Sequence, residues 1–453
     1  MADDTQLKVF SLNCWGLKYV AKNRLERIAA IAAYLSQSSY DIIALQEIWV
    51  FADYEQVRDS VASKLPHAKF FYSGALGSGL AILSRFPIVS ASVFPYSLNG
   101  APMDVAAGDW FVGKAAASVV IQHPLLNQVQ IFNTHLFAKG GDAEAHRFVN
   151  AWEIAKLIQQ AAELGRYVIA PGDYNSIPTT LPMTIIKDYA SVSDAWSVTH
   201  PNNLSITPPA QHLAHPHPNA PASPNTDANP APPSPALLAI LKYGITADSP
   251  LNTYSSGKPL DSHAIQFAGK RLDYILYRQP TPHSRAHIPD GARYKIECTH
   301  CRVALTETVP EYDFSYSDHF GLEATFNIVP NDPEGFPEGA STLSRGSVAN
   351  TIQALTACWR LSAARSRKEL TIFGLCILLL VAIAIGTAWL PHPWINSILI
   401  VFTVFIAWLG TTMLYEGFLY GNWERNALQN IIEELELHQK GLESVRSSRV
   451  SAT

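Results

Sequence analysis

The chain has 453 residues, with 33 lysines and arginines against 38 aspartates and glutamates, for a formal charge of −5. That balance, with a pI near 6.3, excludes a surface built to grip polyanions, so no nucleic-acid partner is expected. Five scattered cysteines form no disulfide framework and suit a reducing compartment.

The N-terminal stretch MADDTQLKVFSLNCW is acidic and passes straight into strand-like sequence. It has neither a basic n-region nor an apolar h-region, so no signal peptide is expected. Short apolar runs at Leu7–Leu12, Ile42–Leu45, Leu80–Leu83, Ala116–Ile121, Val129–Asn133 and Tyr167–Ala170 read as strands. Arg24–Leu35 and Glu144–Leu164 read as amphipathic helices. In the second, Phe148, Trp152, Ala155 and Ile158 recur at helical spacing, the pattern of a core face. A second strand set follows at Arg271–Tyr277, Tyr294–Ile296, Val303–Leu305 and Leu322–Ile328. Two such halves predict one layered α/β unit over residues 1–330.

Residues 200–235 interrupt this pattern with proline among Asn, Ala and His, including His215-Pro216-His217. Such a segment cannot bury enough apolar area to offset its ordering entropy, so a disordered surface insertion is expected rather than a metal site. Cys298-Thr299-His300-Cys301 is the only close cysteine pair. No second pair completes a zinc site, so ordinary thiols are expected.

A Pro/Gly/Ser linker at 331–345 leads to an expected membrane anchor at 346–453. Leu370–Leu390 and Trp394–Tyr415 contain no charged residue and are separated only by Pro391-His392-Pro393. About 20 apolar residues cross the ~30 Å core of a bilayer, so these predict a two-helix transmembrane hairpin. Arg360, Arg365, Arg367 and Lys368 flank the first span and Arg425 follows the second. By the positive-inside rule the N-terminal domain then faces the cytosol, on an intracellular membrane with the endoplasmic reticulum as the default. Val348, Ile352, Leu355 and Trp359 share one helical face, as do Leu428, Ile431, Ile432, Leu435 and Leu442. The two faces predict either an antiparallel stalk extending the hairpin, which is the favoured reading, or helices lying at the headgroup level.

Five segments place polar groups at the end of an apolar strand: Ser11-Leu12-Asn13-Cys14-Trp15, Leu45-Gln46-Glu47, Asn133-Thr134-His135-Leu136, Pro171-Gly172-Asp173-Tyr174-Asn175 and Ser317-Asp318-His319. Each alone is weak, because a single Glu after a strand is usually solvated and a single His is usually a satisfied core residue. Their joint occurrence in this order resembles the exonuclease–endonuclease–phosphatase superfamily, the DNase-I-like fold. Gly79–Ile88 and Arg271-Leu272-Asp273-Tyr274-Ile275 look like two further elements of it. The resemblance implies a four-layer α/β/β/α sandwich.

The chemistry of these side chains points the same way. Phosphodiester hydrolysis needs a cation for developing charge, a base for water and support for the leaving alkoxide. Glu47 and the amide oxygen of Asn13 offer hard ligands suited to Mg²⁺. His319 can accept the proton of the attacking water. Asp318, its chain neighbour, cannot easily bond the same ring and is expected at a different partner or in the metal shell. Asp173 and Asn175 lie two apart and would orient the water and a phosphate oxygen. His135 would donate to the phosphoryl group, and Asp273 would fix a histidine's tautomer.

The block Gly108-Asp109-Trp110-Phe111-Val112-Gly113-Lys114, the Asn13-Cys14-Trp15-Gly16 start, the helix beginning near His146 and the two C-terminal spans narrow the likeness. Together they resemble neutral sphingomyelinases and the yeast-type inositol phosphosphingolipid phospholipase C. The family's magnesium glutamate falls on Glu47, its proton-accepting histidine on His319, and the Asn of its Gly-Asp-x-Asn motif on Asn175. Gly108–Lys114 is also most of a nucleotide-binding P-loop. Ala115 stands where the metal-binding Ser/Thr belongs, and a strand-like run follows, so nucleotide binding is not expected. The resemblance instead implies that Asp109 and Lys114 form a gate responding to an anionic phospholipid; a plain surface ion pair is the competing reading. The expected activity is Mg²⁺-dependent hydrolysis of a membrane sphingolipid to ceramide and a phosphorylated headgroup. The alternatives are an abasic-site endonuclease or inositol polyphosphate phosphatase on the same fold, and a non-catalytic membrane scaffold.

Overall fold

The computed structural model describes residues 4–104, 108–203, 234–281, 293–331 and 343–450. Most of the proline-rich insertion and of the linker expected at 331–345 therefore lies outside the described residues. The chain forms two compact units, one of 1–95, 112–136 and 153–342, the other of 96–111, 137–152 and 343–453.

The first unit is built on two six-stranded sheets. In the first sheet, β1 (Gln6–Asn13) pairs in parallel with β2 (Ile42–Gln46) and antiparallel to β12 (Gly321–Pro330). β4 (Leu80–Ser84), β3 (His67–Phe71) and β11 (Tyr294–Ala304) complete it in the order β11-β12-β1-β2-β4-β3. The second sheet runs β5 (Ile88–Pro95), β6 (Ala115–His123), β7 (Asn127–His135), β8 (Tyr167–Asp173), β10 (Asp273–Arg278) and β9 (Ser193–Asp194). Val9, Ile42 and Phe326 from one sheet join Val119, Ile131, Ile169 and Ile275 from the other in a single buried cluster. Sheets covered on both faces read as nearly continuous apolar runs, which is why β2, β4 and β6 are recognisable in the sequence. Helices α1 (Arg24–Gln37) and α2 (Phe51–Val61) cover the outer face of the first sheet, where Ile28, Ile31, Leu35 and Val57 meet Phe10, Ile43 and Leu83. The second sheet is flanked by α3 (Glu144–Glu163), α4 (Leu181–Ala190) and α5 (Ala195–Thr199), and two short helices follow, α6 (Pro235–Tyr243) and α7 (Ser262–Phe267). This is the expected α/β/β/α sandwich.

Two expected elements differ. Tyr294–Ile296 and Val303–Leu305 belong to one strand, β11, interrupted by a register shift between Cys298 and His300. Cys298 and Cys301 point into the core while Thr299 and His300 are exposed, so the pair behaves as packed thiols. β3, β5 and β9 have no counterpart among the expected strands.

The second unit carries α8 (Arg345–Gly386), α9 (Ile395–Leu414), a π-helical turn at Tyr415–Tyr420 and α10 (Gly421–Val450). Two of these stretches are long and apolar enough to cross a membrane. Their register is antiparallel: Arg345 reaches Glu443, Ser362 reaches Glu424, and Ser366 donates to the Gly417 carbonyl. Val348 and Leu355 are buried, as are Leu428, Ile431, Ile432 and Leu435. The helical segments before and after the two apolar stretches thus pair antiparallel. Glu424 accepts from His146 Nε2 (2.9 Å) and pairs with Arg365, while His146 Nδ1 accepts the Gly100 amide (2.9 Å). His146 therefore holds its proton at Nε2, and the cluster His146–Cys358–Glu424 offers no free imidazole lone pair to a metal.

Candidate active site

Parallel pairing brings strand ends together. β1 and β2 are in register at Asn13 and Gln46, and β7 and β8 at His135 and Asp173, so Asn13, Glu47, His135 and Asp173 emerge at one end of the sandwich. β10 is antiparallel to β8 and starts at that end with Asp273 opposite Asp173. β12, antiparallel to β1, starts two residues after His319. A buried polar seam ties the sheets just below: Gln46 Nε2 donates to Asn133 Oδ1 (2.7 Å), and Asn133 Nδ2 to the carbonyls of Leu45 and Ala81 (both 2.9 Å). Gly172 has no room for a Cβ, which would stand 2.5 Å from the Thr134 carbonyl. Trp15, Glu47 and Asn175 all adopt positive φ without being glycine, the kind of backbone strain that clusters at functional sites.

Asn13 Nδ2 donates to Glu47 Oε1 and to Asp173 Oδ2, both at 3.0 Å, while Asn13 Oδ1 accepts the Trp15 amide (3.0 Å). Because only an oxygen can accept that N–H, the orientation of the amide is fixed. Asn13 thus shows Glu47 its NH₂, while its amide oxygen, the expected metal ligand, accepts the Trp15 N–H. Gly16 N–H donates to the Glu47 carbonyl (2.8 Å), and a Cβ at Gly16 would lie 2.5 Å from that oxygen.

His319 Nδ1 is 2.8 Å from Asp273 Oδ2, and its Nε2 faces Asp173 Oδ2 at 3.9 Å. The ring bonds Asp273 rather than its neighbour Asp318, whose Oδ1 lies 3.4 Å from Ser317 Oγ. Burial alone would lower the His319 pKa, but Asp273 and Asp173 outweigh it and hold the imidazole well above its ordinary value. Burial, with the Asp318 charge second, pushes Glu47 up to about 7. Burial also raises Asp173, to about 6, and raises Asp318.

His135 Nε2 lies 3.2 Å from Lys114 Nζ and 3.6 Å from Asp173 Oδ2. Burial, then Lys114, keeps its pKa well below the usual value, so the ring is neutral. An ammonium can only donate, so Nε2 accepts and the proton sits on Nδ1. Lys114 Nζ also donates to the Leu136 carbonyl (3.0 Å), which accepts Asn175 Nδ2 as well (2.9 Å). Lys114 is 2% exposed and Asp109 9%. Lys114 belongs to the cluster around His135, a place the sequence reading did not give it.

Arg27 was also missed. It is fully buried and donates to the carbonyls of Lys22 (2.9 Å), Cys14 (2.8 Å), Trp15 (2.7 Å) and Tyr316 (3.1 Å). It thereby ties the turn after Asn13 to the turn before His319. The available signal is its place on α1, one residue before Ile28 and four before Ile31 on the apolar face.

Residues 10–319 match the endonuclease/exonuclease/phosphatase family. The chain belongs to that family. It is 34% identical over 438 residues to the inositol phosphosphingolipids phospholipase C of Schizosaccharomyces pombe, covering 95% of this chain and 93% of the relative. The protein of the same description in Saccharomyces cerevisiae is 31% identical, covering 96% and 91%. Among solved structures, truncated Caenorhabditis elegans TDP2 aligns with a TM-score of 0.47 and 18% identity, over 71% of this chain and 98% of that one. Within the endonuclease/exonuclease/phosphatase family the chain falls with the inositol phosphosphingolipid phospholipases C and neutral sphingomyelinases. It is a phosphoric diester hydrolase, and the scaffold reading does not hold.

Proposed function

We propose that this protein is a membrane-anchored, Mg²⁺-dependent phospholipase C that cleaves sphingolipids, releasing ceramide and a phosphorylated headgroup. The observation that carries the reading is that the yeast relatives align along nearly the whole chain, apolar helices included. Those relatives are named for inositol phosphosphingolipids, and more distant ones for sphingomyelin, so both headgroups belong in the test. Anchoring keeps the enzyme beside a bilayer substrate and a bilayer product at high effective concentration.

The donor set fits a hard divalent cation. Burial holds both Glu47 and Asp318 toward neutrality, and the Asp318 charge adds to the shift of Glu47, a cost that a bound cation relieves. Glu47 would be the principal ligand, with the second lone pair of Asn13 Oδ1 and the Asp318 carboxylate completing an oxygen set. When bound, Mg²⁺ would neutralise charge on the phosphoryl oxygens. His319 Nε2 takes the proton of the attacking water, and Asp273 fixes the tautomer and supports the imidazolium that forms. Asp173 orients the water from beside His319. Lys114 and Asn175 meet the phosphoryl oxygens, and neutral His135 holds Lys114 from the other side. Asp109 and Lys114 remain the proposed gate responsive to an anionic phospholipid, and the endoplasmic reticulum, with the catalytic unit cytosolic, the proposed location.

The test is headgroup release from mixed micelles by the purified full-length protein, with Mg²⁺ or with excess chelator. Sphingomyelin, inositol phosphoceramide and an abasic-site duplex are assayed in parallel, with Glu47→Ala as control. Mg²⁺-dependent ceramide production lost in the variant is the expected result, and the rate ratio names the headgroup. Duplex cleavage with both lipids untouched overturns the reading.

A further inference from the structure

The first unit contains a cavity of about 390 Å³ whose walls include Lys187, Trp196, His200, Lys242, Phe267 and Arg271. Among the described residues, no acidic side chain lines it. Behind its wall a single carboxylate serves two cations: Asp194 Oδ2 lies 2.8 Å from Arg271 Nη1 and 3.5 Å from Lys187 Nζ. The same oxygen accepts from Ser197 Oγ (2.8 Å), and Oδ1 accepts the Trp196 amide (3.1 Å). Asp194 is therefore saturated, and the trio keeps a net positive charge in a largely water-excluded place, with Lys187 only 26% exposed. Arg271 is 5% exposed, yet its Nε is buried without a hydrogen-bond partner among the described residues. A buried donor without a partner is costly until an anion or water answers it.

The other walls are aromatic. Trp196 and His200 stack with centroids 3.9 Å apart and planes 7° from parallel, and Phe267 packs on His263 at 4.5 Å. Such walls shield an anion from competing water without contributing negative charge. The cavity also shares its chain segments with the catalytic end. Arg271 is two residues before Asp273, Pro178 and Thr179 follow Asn175, and Ile245 precedes Thr246, whose Oγ1 accepts the Asp273 amide (3.2 Å). The catalytic end is rich in carboxylates and needs a cation to hold phosphate. This cavity has the opposite sign and needs none.

We propose that the cavity of Lys187, Trp196, Lys242 and Arg271 is a second, metal-independent binding site for a phosphate group on a small polar body. Three sources carry that chemistry: the released phosphorylated headgroup, the headgroup of an anionic phospholipid, and free phosphate. The site stands independently of which lipid the enzyme cleaves.

Calorimetric titration of the full-length protein in detergent micelles with excess chelator tests it, since chelator silences any cation-dependent phosphate binding at Glu47. Inositol 1-phosphate, glycerophosphoserine and inorganic phosphate are the probes. Binding of at least one is expected, and the tightest names the source. Lys242→Glu should weaken that binding about tenfold or more, the scale of a charge-assisted contact replaced by repulsion. Lys187→Ala should do the same and Lys187→Arg should restore it. Lys242 is exposed on α6 (Pro235–Tyr243), so its variant keeps the test decisive if Lys187→Ala fails to fold. Absence of binding by all three probes, or equal affinity in wild type and Lys242→Glu, overturns the proposal. A protein that hydrolyses sphingolipid yet binds no probe loses this site alone; one that binds but hydrolyses neither lipid loses the sphingolipid reading alone.

Discussion

His319 presents one ring nitrogen to Asp273, at 2.8 Å, and the other to Asp173, at 3.9 Å. The two carboxylates come from the facing ends of β10 and β8, where register sets Asp273 opposite Asp173, so the base is clamped by main-chain pairing rather than by a loop. Since Asp273 raises the His319 pKa, its removal has a definite sign. The Asp273→Asn variant should let the imidazole lose its proton at lower pH, so the rising limb of kcat/KM against pH moves to lower pH. The plateau should fall roughly 10²–10⁴-fold, as general-base catalysis is worth that much. A lowered plateau with an unmoved limb would separate Asp273 from the base.

The second prediction concerns stability. Burial holds the Glu47 carboxyl up to about 7 against an ordinary 4.5. A carboxyl raised in the folded state binds more protons there than when unfolded, so folding stability falls as pH climbs through the window between those values. In chelator at pH 8, Glu47→Gln should be more stable than wild type by on the order of 1–3 kcal/mol. Mg²⁺ should reverse the ranking, because it stabilises only the protein that binds it. Thermal unfolding with and without Mg²⁺ checks both signs; a variant less stable than wild type in chelator contradicts the charge argument.

The strand ends were legible because a strand buried on both faces must announce its exit: an apolar run stops and Asn13, Glu47, His135 or Asp173 follows. Where alternation breaks, legibility goes with it. His67–Phe71 mixes His and Lys into a short strand and was passed over, and the shift at Cys298–His300 made β11 look like two. Orientation was out of reach. Nothing in Asn13-Cys14-Trp15 tells that the amide turns its NH₂ to Glu47, since that depends on the Trp15 N–H folding back at positive φ. The role of Lys114 was hidden differently, because its partners His135 and Leu136 lie on a neighbouring strand.

Lys114 gives the third prediction. An ammonium buried between His135 Nε2 and the Leu136 carbonyl is preorganised for a developing negative charge. The Lys114→Met variant should lose roughly 10²–10³ in kcat, the scale of one deleted electrostatic contact to a transition state, with a smaller change in KM. Lys114→Arg should not rescue it, since a planar guanidinium does not fit a compact ammonium site. Assays in neutral-detergent micelles separate this from gating. A pure gate would keep its basal rate there and lose only the response to anionic phospholipid.

Arg27 gives the fourth. Its guanidinium is fully buried and spans two turns, holding Cys14 and Trp15 on one side and Tyr316 on the other. One turn fixes Asn13 and through it Glu47; the other leads into Ser317, whose hydroxyl donates to the Asn13 carbonyl (2.6 Å), and then to His319. Replacing it with Met keeps the volume but leaves those carbonyls without a donor, at about 1–3 kcal/mol for each one that water cannot reach. The Arg27→Met variant should therefore unfold at markedly lower denaturant. Under conditions where it is still folded, kcat should fall while the chelator-sensitive part of its thermal stability shrinks, because ligand and base lose their common brace together. Arg27→Lys should recover little of either, having a point charge where four separated carbonyls need a fork. Denaturant unfolding paired with kcat measured at native temperatures distinguishes this from a general loss of stability, which would leave the kcat of the folded fraction unchanged.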